Sequence, residues 1–243
     1  MTREKEVDHN NVCVKLDGAD YTWGMDRQRP IDGGSKLIDL KELESKETVL
    51  EDISLDLGPE SLLVVVGQVG SGKTSLLHSI MDETEKLKGE HVVRGRVAYV
   101  EQEPFIYSAT IEDNIVFGLE FSEARYNKAV LAASLERDLP NFPNGWKTII
   151  GDRGINISGG QKARISLARA IYQDADIYLL DDPLSAVDPA VANDIFDKGI
   201  LTALKHKCVI LVTHQLQFLR RSPQILLLKN KTGVLGNFDE ITA

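Results

Sequence analysis

Leu62-Leu63-Val64-Val65-Val66-Gly67-Gln68-Val69-Gly70-Ser71-Gly72-Lys73-Thr74-Ser75 is the stretch on which the reading of this chain turns. Five apolar residues open it, too few for a helix and rich in β-branched valine. They predict a strand buried on both faces of a parallel sheet. The residues that follow fit G-x-x-x-x-G-K-[ST], with Gly67, Gly72, Lys73 and Thr74 in the fixed places. Gly67, Gly70 and Gly72 let the backbone curl until successive N–H groups converge on one point, a shape suited to a phosphate. Lys73 adds a point charge for the outer phosphates, and the Thr74 hydroxyl is a magnesium ligand. Ser75 to Met81 is helix-compatible, so the phosphates would sit on a helix N-terminus.

Working outward, two more apolar runs end in polar groups. Ile177-Tyr178-Leu179-Leu180 leads to Asp181 and Asp182, and Cys208 to Val212 leads to Thr213 and His214. The C-terminal ends of strands in a parallel sheet cluster, so these groups should meet the phosphate loop. A carboxylate at a strand tip beside that loop suits a magnesium–nucleotide site, the cation offsetting its charge. Read alone, His214 is first a core histidine and only second a site residue. Ser158-Gly159-Gly160-Gln161 opens a helix over Lys162 to Tyr172 and offers a hydroxyl, two bare amides and a helix N-terminus. That is a second phosphate-binding feature.

The remaining stretches frame these. Val12 to Leu16 and Tyr21 to Trp23 predict two short strands, and Ile53 to Leu57 a third. Trp23 is either ordinary packing or a stacking platform for a base. Asp26 to Glu47 breaks the pattern with Pro30, Gly33 and Gly34 and reads as a solvated loop, with a regulatory segment as the alternative. His91 to Val100 predicts a hairpin or paired strands. From Thr110, which caps a predicted helix, the texture becomes helical to about Ile157, a lobe inserted into an α/β core. Pro189 to Leu204 is a helix with proline in its first turn, and Gln224 to Leu228 and Gly233 to Leu235 complete the sheet.

The chain has 243 residues, a net charge of -9 and a pI near 5.1, with 42% hydrophobic residues. That is enough for a large core, and the acidic balance argues against nucleic acid as a partner. Cys13 and Cys208 lie far apart in sequence and read as small core residues in a reducing compartment. No apolar run approaches a membrane span and no signal peptide is evident. Residues 1–10 are charged and expected to be disordered.

In order and spacing, the motifs resemble the nucleotide-binding domain of an ATP-binding cassette (ABC) transporter, from about residue 11 to the C-terminus. Gly67 to Thr74 resembles the Walker A loop and Gln102 the Q-loop glutamine. Ile157 to Gln161 resembles the signature, with isoleucine where leucine is usual. Ile177 to Asp181 resembles Walker B, Ser185-Ala186-Val187-Asp188 the D-loop, and His214 the switch histidine. Trp23 falls at the family's A-loop aromatic, which makes adenine stacking its favoured reading. Ala109 to Gly118 and Asp181 to Asp188 are most similar to the first nucleotide-binding domain of subfamily C. That group holds multidrug-resistance-associated exporters, sulfonylurea receptors and the cystic-fibrosis chloride channel.

The resemblance implies an α/β P-loop NTPase fold: a mixed sheet core, an N-terminal antiparallel β subdomain, an insertion at 26–47 and a helical subdomain at 104–165. It implies that ATP is held by Trp23, Gly67, Gln68, Val69, Gly70, Ser71, Gly72, Lys73, Thr74, Ser75, Gln102 and Asp181. Mg²⁺ is held by Thr74, Gln102 and Asp181, with Asp182, His214 and Gln102 catalytic. Ser158, Gly159, Gly160 and Gln161 would complete the site of a second nucleotide-binding domain of the same polypeptide, and Ser185 and Asp188 are the D-loop residues. The parent's transmembrane domains are the other partner, placing the domain on the cytoplasmic face of a membrane, and in isolation it would be monomeric or weakly dimeric. One departure stands out. The family's usual general base is glutamate, and here that place is Asp182, one methylene shorter. A base displaced by about 1 Å can cost on the order of 100-fold, so the resemblance implies tight ATP binding and slow hydrolysis.

Overall fold

A computed structural model of the chain describes residues 13–24, 47–151 and 156–242. The expected disordered start at 1–10 and nearly all of the 26–47 insertion lie outside the described residues. Among these residues there are two sheets. Strands β1 (Val14–Thr22), β2 (Thr48–Leu57) and β4 (Glu85–Val93) form an antiparallel sheet in the order β2-β1-β4. Strands β3 (Leu62–Gly67), β5 (Val97–Val100), β6 (Ile177–Asp181), β7 (Cys208–Val212), β8 (Gln224–Lys229) and β9 (Thr232–Gly236) form a mixed sheet in the order β5-β6-β7-β3-β8-β9. Only β9 runs antiparallel to its neighbour.

The valine-rich run behaves as its composition requires. Leu62, Val64 and Val66 enter one core cluster, and Leu63 and Val65 enter another on the opposite face. The first cluster lies under the helices, and the second fills the space between the two sheets and α1 (Lys73–Ile80). With both faces covered, β3 is fixed in register at the centre of the sheet.

The inserted lobe contains α2 (Ile111–Val116) and α3 (Glu123–Ala132), and both pack against α4 (Gly159–Tyr172). Thr110 caps α2 in a full capping box with Asp113. A salt link between buried Asp138 and buried Arg164 ties α4 to the turns after α3, the guanidinium donating through Nε (3.1 Å) and Nη2 (2.7 Å) to Asp138 Oδ2.

Three expectations change. The two short N-terminal strands are one strand, β1, because an irregular register at Gly18 to Asp20 absorbs the polar break without ending the pairing. The expected hairpin at His91 to Val100 is two strands in different sheets: β4 pairs with β1, and β5 with β6. Helix α5 (Pro189–Ile195) continues as π-helix over Phe196–Ala203 rather than as one regular helix. At Gly199 in that segment an added Cβ would lie 2.7 Å from the Ala132 carbonyl oxygen, so only glycine allows the contact with α3. Cys13 and Cys208, remote in sequence, are both buried as expected and share one core cluster.

No helix among the described residues is long and apolar enough to cross a membrane.

Candidate functional site

Strand β3 and helix α1 are joined by the glycine-rich turn. At Gly67 an added Cβ would lie 2.4 Å from the Leu228 carbonyl oxygen and 2.5 Å from Ser71 Oγ, so the passage beside β8 excludes any side chain. Gly72 precedes α1 at φ +102°, a conformation L side chains rarely adopt. These two positions shape the curl whose amides face outward at the helix start.

Lys73, the first residue of α1, is 8% exposed, and its Nζ donates to the carbonyls of Gly67 and Gln68, both at 2.9 Å. Burial pushes its pKa below the ordinary lysine value, while Asp181 and Asp182 pull it back up. The ammonium is thus folded back on its own loop, next to two carboxylates, where a polyanion would compete for it.

Strand β6 ends at Asp181, two strands from β3, with β7 between them. Thr74 Oγ1 donates to Asp181 Oδ2 at 2.9 Å, and the Tyr99 hydroxyl reaches the same oxygen at 3.5 Å. Asp182 follows with φ +47°, its N–H donating to Val212 O at 3.0 Å. Its side chain is buried, and Oδ1 has no hydrogen-bond partner. Desolvation raises the Asp182 pKa, with His214 the main opposing influence. A buried carboxylate oxygen without a protein hydrogen-bond partner is costly.

Val69, Gly70, Gly72, Lys73, Thr74, Ser75, Gln102, Asp181, Asp182 and His214 line a single cleft of about 410 Å³. Topology thus brings together residues spread over more than 140 positions of chain. The Thr74 hydroxyl and the Asp181 carboxylate, with the Gln102 amide nearby, are hard oxygen donors suited to Mg²⁺. Among the described residues no group of three or more carboxylates, imidazoles or thiols is placed to hold a metal by itself. Such an oxygen set fits a cation that arrives with phosphate oxygens to complete its shell.

Trp23 does not line this cleft. It follows β1, is 45% exposed, and meets the His78 ring edge-on at 5.4 Å. The Ser158 group is also separate from the cleft. Ser158 caps α4, its hydroxyl accepting from Gln161 N, and Gln161 Oε1 accepts from Ser158 N. Gly160 packs so closely on Ala186 that a Cβ would lie 2.9 Å from its carbonyl oxygen. The adjoining Ser185 Oγ donates to Asp182 O at 2.9 Å, and Asp188 precedes α5. The α4 start and the loop after β6 therefore form one continuous surface leading to the cleft.

The sequence reading missed part of the cleft. Glu47, Thr48, Val49 and Lys231 also line it, and Lys231 Nζ lies 3.1 Å from Glu47 Oε1. Lys231 occupies the β8–β9 turn, and only the pairing of β8 with β3 brings it there. Glu47 is brought close by β1–β2 pairing, where Thr22 faces Thr48 and Thr22 Oγ1 donates to Glu47 O at 2.9 Å. No local motif signals either position.

The family model described as ABC transporter matches residues 50–185. The chain is 47% identical over 210 residues to "ATP-binding cassette sub-family C member 4" of Homo sapiens, covering 84% of this chain and 16% of that protein. It is 48% identical over 244 aligned positions to "Multidrug resistance protein mrp-7" of Caenorhabditis elegans, covering 99% of this chain and 15% of that protein. It is 43% identical over 235 residues to "ABC transporter C family member 9" of Arabidopsis thaliana, covering 96% of this chain and 14% of that protein. The chain therefore spans about one seventh of the length of these relatives.

Proposed function

We infer the function from one premise: the chain belongs to the ABC transporter family, as a nucleotide-binding domain of subfamily C. We propose that it is the first such domain of its parent, and that it binds Mg·ATP in the cleft at the β3, β6 and β7 tips. The convergence of Lys73, Thr74, Gln102, Asp181, Asp182 and His214 on that one cleft carries this reading. The turn amides and Lys73 grip the β- and γ-phosphates. Thr74 and Asp181 hold the magnesium ion, which neutralises phosphate charge. Trp23 stacks on the base, and His214 contacts the γ-phosphate.

The Ser158–Gln161 group serves a second nucleotide-binding domain. Two such domains close head to tail, each presenting a serine hydroxyl and glycine amides to the other's γ-phosphate. ATP touches both faces only in the closed pair, and that differential affinity shifts the population towards closure. Phe105, Tyr107 and Phe117 form an aromatic patch beside Gln102, braced by Arg169, whose guanidinium lies 4.7 Å from the Phe117 ring centroid. Phe105 is 56% exposed and Phe117 45%. This patch is the face we assign to the transmembrane helices of the parent, on the cytoplasmic side of the membrane, so that closure moves them.

Asp182 makes this a slow ATPase site, because its side chain is one methylene shorter than the glutamate usual at that place and would hold a general base about 1 Å out of position. The same observation favours a second reading, in which nucleotide occupancy gates a channel or receptor and turnover is incidental. Calorimetry should detect Mg·ATP binding to the chain. With a partner domain added, Asp182→Glu should raise ATP turnover about tenfold. Equal turnover in the two proteins would show that Asp182 is not a handicapped base.

A further inference from the structure

His78 sits in the second turn of α1, five residues after Lys73. Its ring is flanked on two sides. The Trp23 indole meets it at 5.4 Å between centroids with an interplanar angle of 62°. The Tyr99 ring meets it at 5.7 Å and 66°. Its Nδ1 lies 2.5 Å from Glu83 Oε2, so the ring is also held in its plane. Both ring contacts are edge-to-face, the arrangement aromatic pairs prefer. Tyr99 is itself anchored, since its hydroxyl reaches Asp181 Oδ2.

Among the described residues, the ring that meets the Trp23 indole is His78. Trp23 lies beyond the last paired residue of β1 and is nearly half exposed. An indole free to rotate would lose that freedom on stacking against a base, and the loss would subtract from affinity. The His78 edge removes some of the freedom in advance. One helix thus carries both the phosphate grip, at Lys73, and the support for the base platform.

We propose that His78 is a positioning residue for nucleotide binding, one that pre-orients Trp23 for the adenine ring. This rests on the reading of Trp23 as the base platform. The test measures binding of Mg·ATP and of Mg-tripolyphosphate, which lacks a base, to the chain and three variants. Trp23→Ala should weaken ATP binding at least tenfold, the size of one lost base stack. His78→Ala should weaken ATP binding about fivefold and leave tripolyphosphate binding unchanged. His78→Phe, which restores an aromatic edge, should recover most of the ATP affinity. In a Trp146→Phe background, where Trp23 is the single tryptophan, His78→Ala should increase acrylamide quenching of its fluorescence.

Three results would overturn the proposal, and they are distinguishable. Full ATP affinity in His78→Ala, with loss in Trp23→Ala, would remove His78 and leave the platform intact. Equal loss of ATP and tripolyphosphate in His78→Ala would show that the residue supports α1 rather than the indole. Full ATP affinity in Trp23→Ala would remove the platform itself.

Discussion

The Gly67–Thr74 turn and the Ser158–Gln161 turn both present backbone amides at the start of a helix, yet they leave their polar groups in opposite states. At the first, the functional groups are under-used. The Lys73 ammonium is parked on two carbonyls of its own loop, and Asp182 Oδ1 is buried with no partner. At the second, the side chains are already spent. Ser158 and Gln161 satisfy each other in a capping box, and Gln161 Nε2 donates to Asp138 Oδ1 at 3.1 Å. Asp138 is held in turn by Arg164. The first turn is a cradle within this chain that stores unsatisfied polarity for a ligand. The second is internally satisfied, and it is the turn we propose is presented to a partner domain.

The contrast can be broken at either end. The largest effect should come from Arg164→Ala, which strands the buried Asp138 carboxylate beneath the second turn. We expect a loss of about 4 kcal/mol in chemical denaturation, with Mg·ATP affinity of the folded protein within about twofold of the parent. A large loss of affinity in the folded variant would mean that the two turns are not independent. Next is Lys73→Ala, which should weaken ATP binding at least about 100-fold, roughly 2.7 kcal/mol, while stability stays nearly constant. Unchanged affinity would remove the phosphate assignment of the first turn.

Asp182→Asn sharpens the same comparison through pH. The Asp182 pKa is raised on folding, so the carboxylate destabilises the native state above that pKa. The cost shrinks once the pH falls below the raised value and is gone below the ordinary carboxylate range. Asp182→Asn should therefore stabilise the ligand-free protein by about 1 kcal/mol at neutral pH. The advantage should shrink on acidification, as thermal melts at a series of pH values would reveal. A stability difference that did not change with pH would mean that Asp182 carries no stored charge. The smallest effect belongs to Ser158→Ala, which removes one cap and should lower stability by about 1 kcal/mol or less. A loss of several kcal/mol there would mean that the second turn is part of the core rather than a presented surface.

Much of the architecture was legible because its signals are local. The β3 run is apolar at every position, as a strand covered on both faces must be. The cap at Thr110, the box at Ser158 and Gln161, and Pro189 at the first turn of its helix are all short-range devices that depend on a few neighbours. The clustering of Asp181 and His214 with Lys73 followed from a general rule of parallel sheets, and the cleft contains all three.

Other features had no local sign. Arg94-Gly95-Arg96 reads as a hairpin turn, but the chain there leaves one sheet for another, and the choice depends on which partner strand offers an open edge. The places of Lys231 and His78 and the shared cluster of Cys13 and Cys208 are set by strand order across large sequence separations. The sequence by itself determined the buried central strands, most of the helix starts, the phosphate turn and the chemistry at each strand tip, since those depend on residue type and spacing. Only the tertiary structure decided which distant side chains share the cleft, what holds Trp23, and which polar groups are left without partners, because those follow from packing in three dimensions.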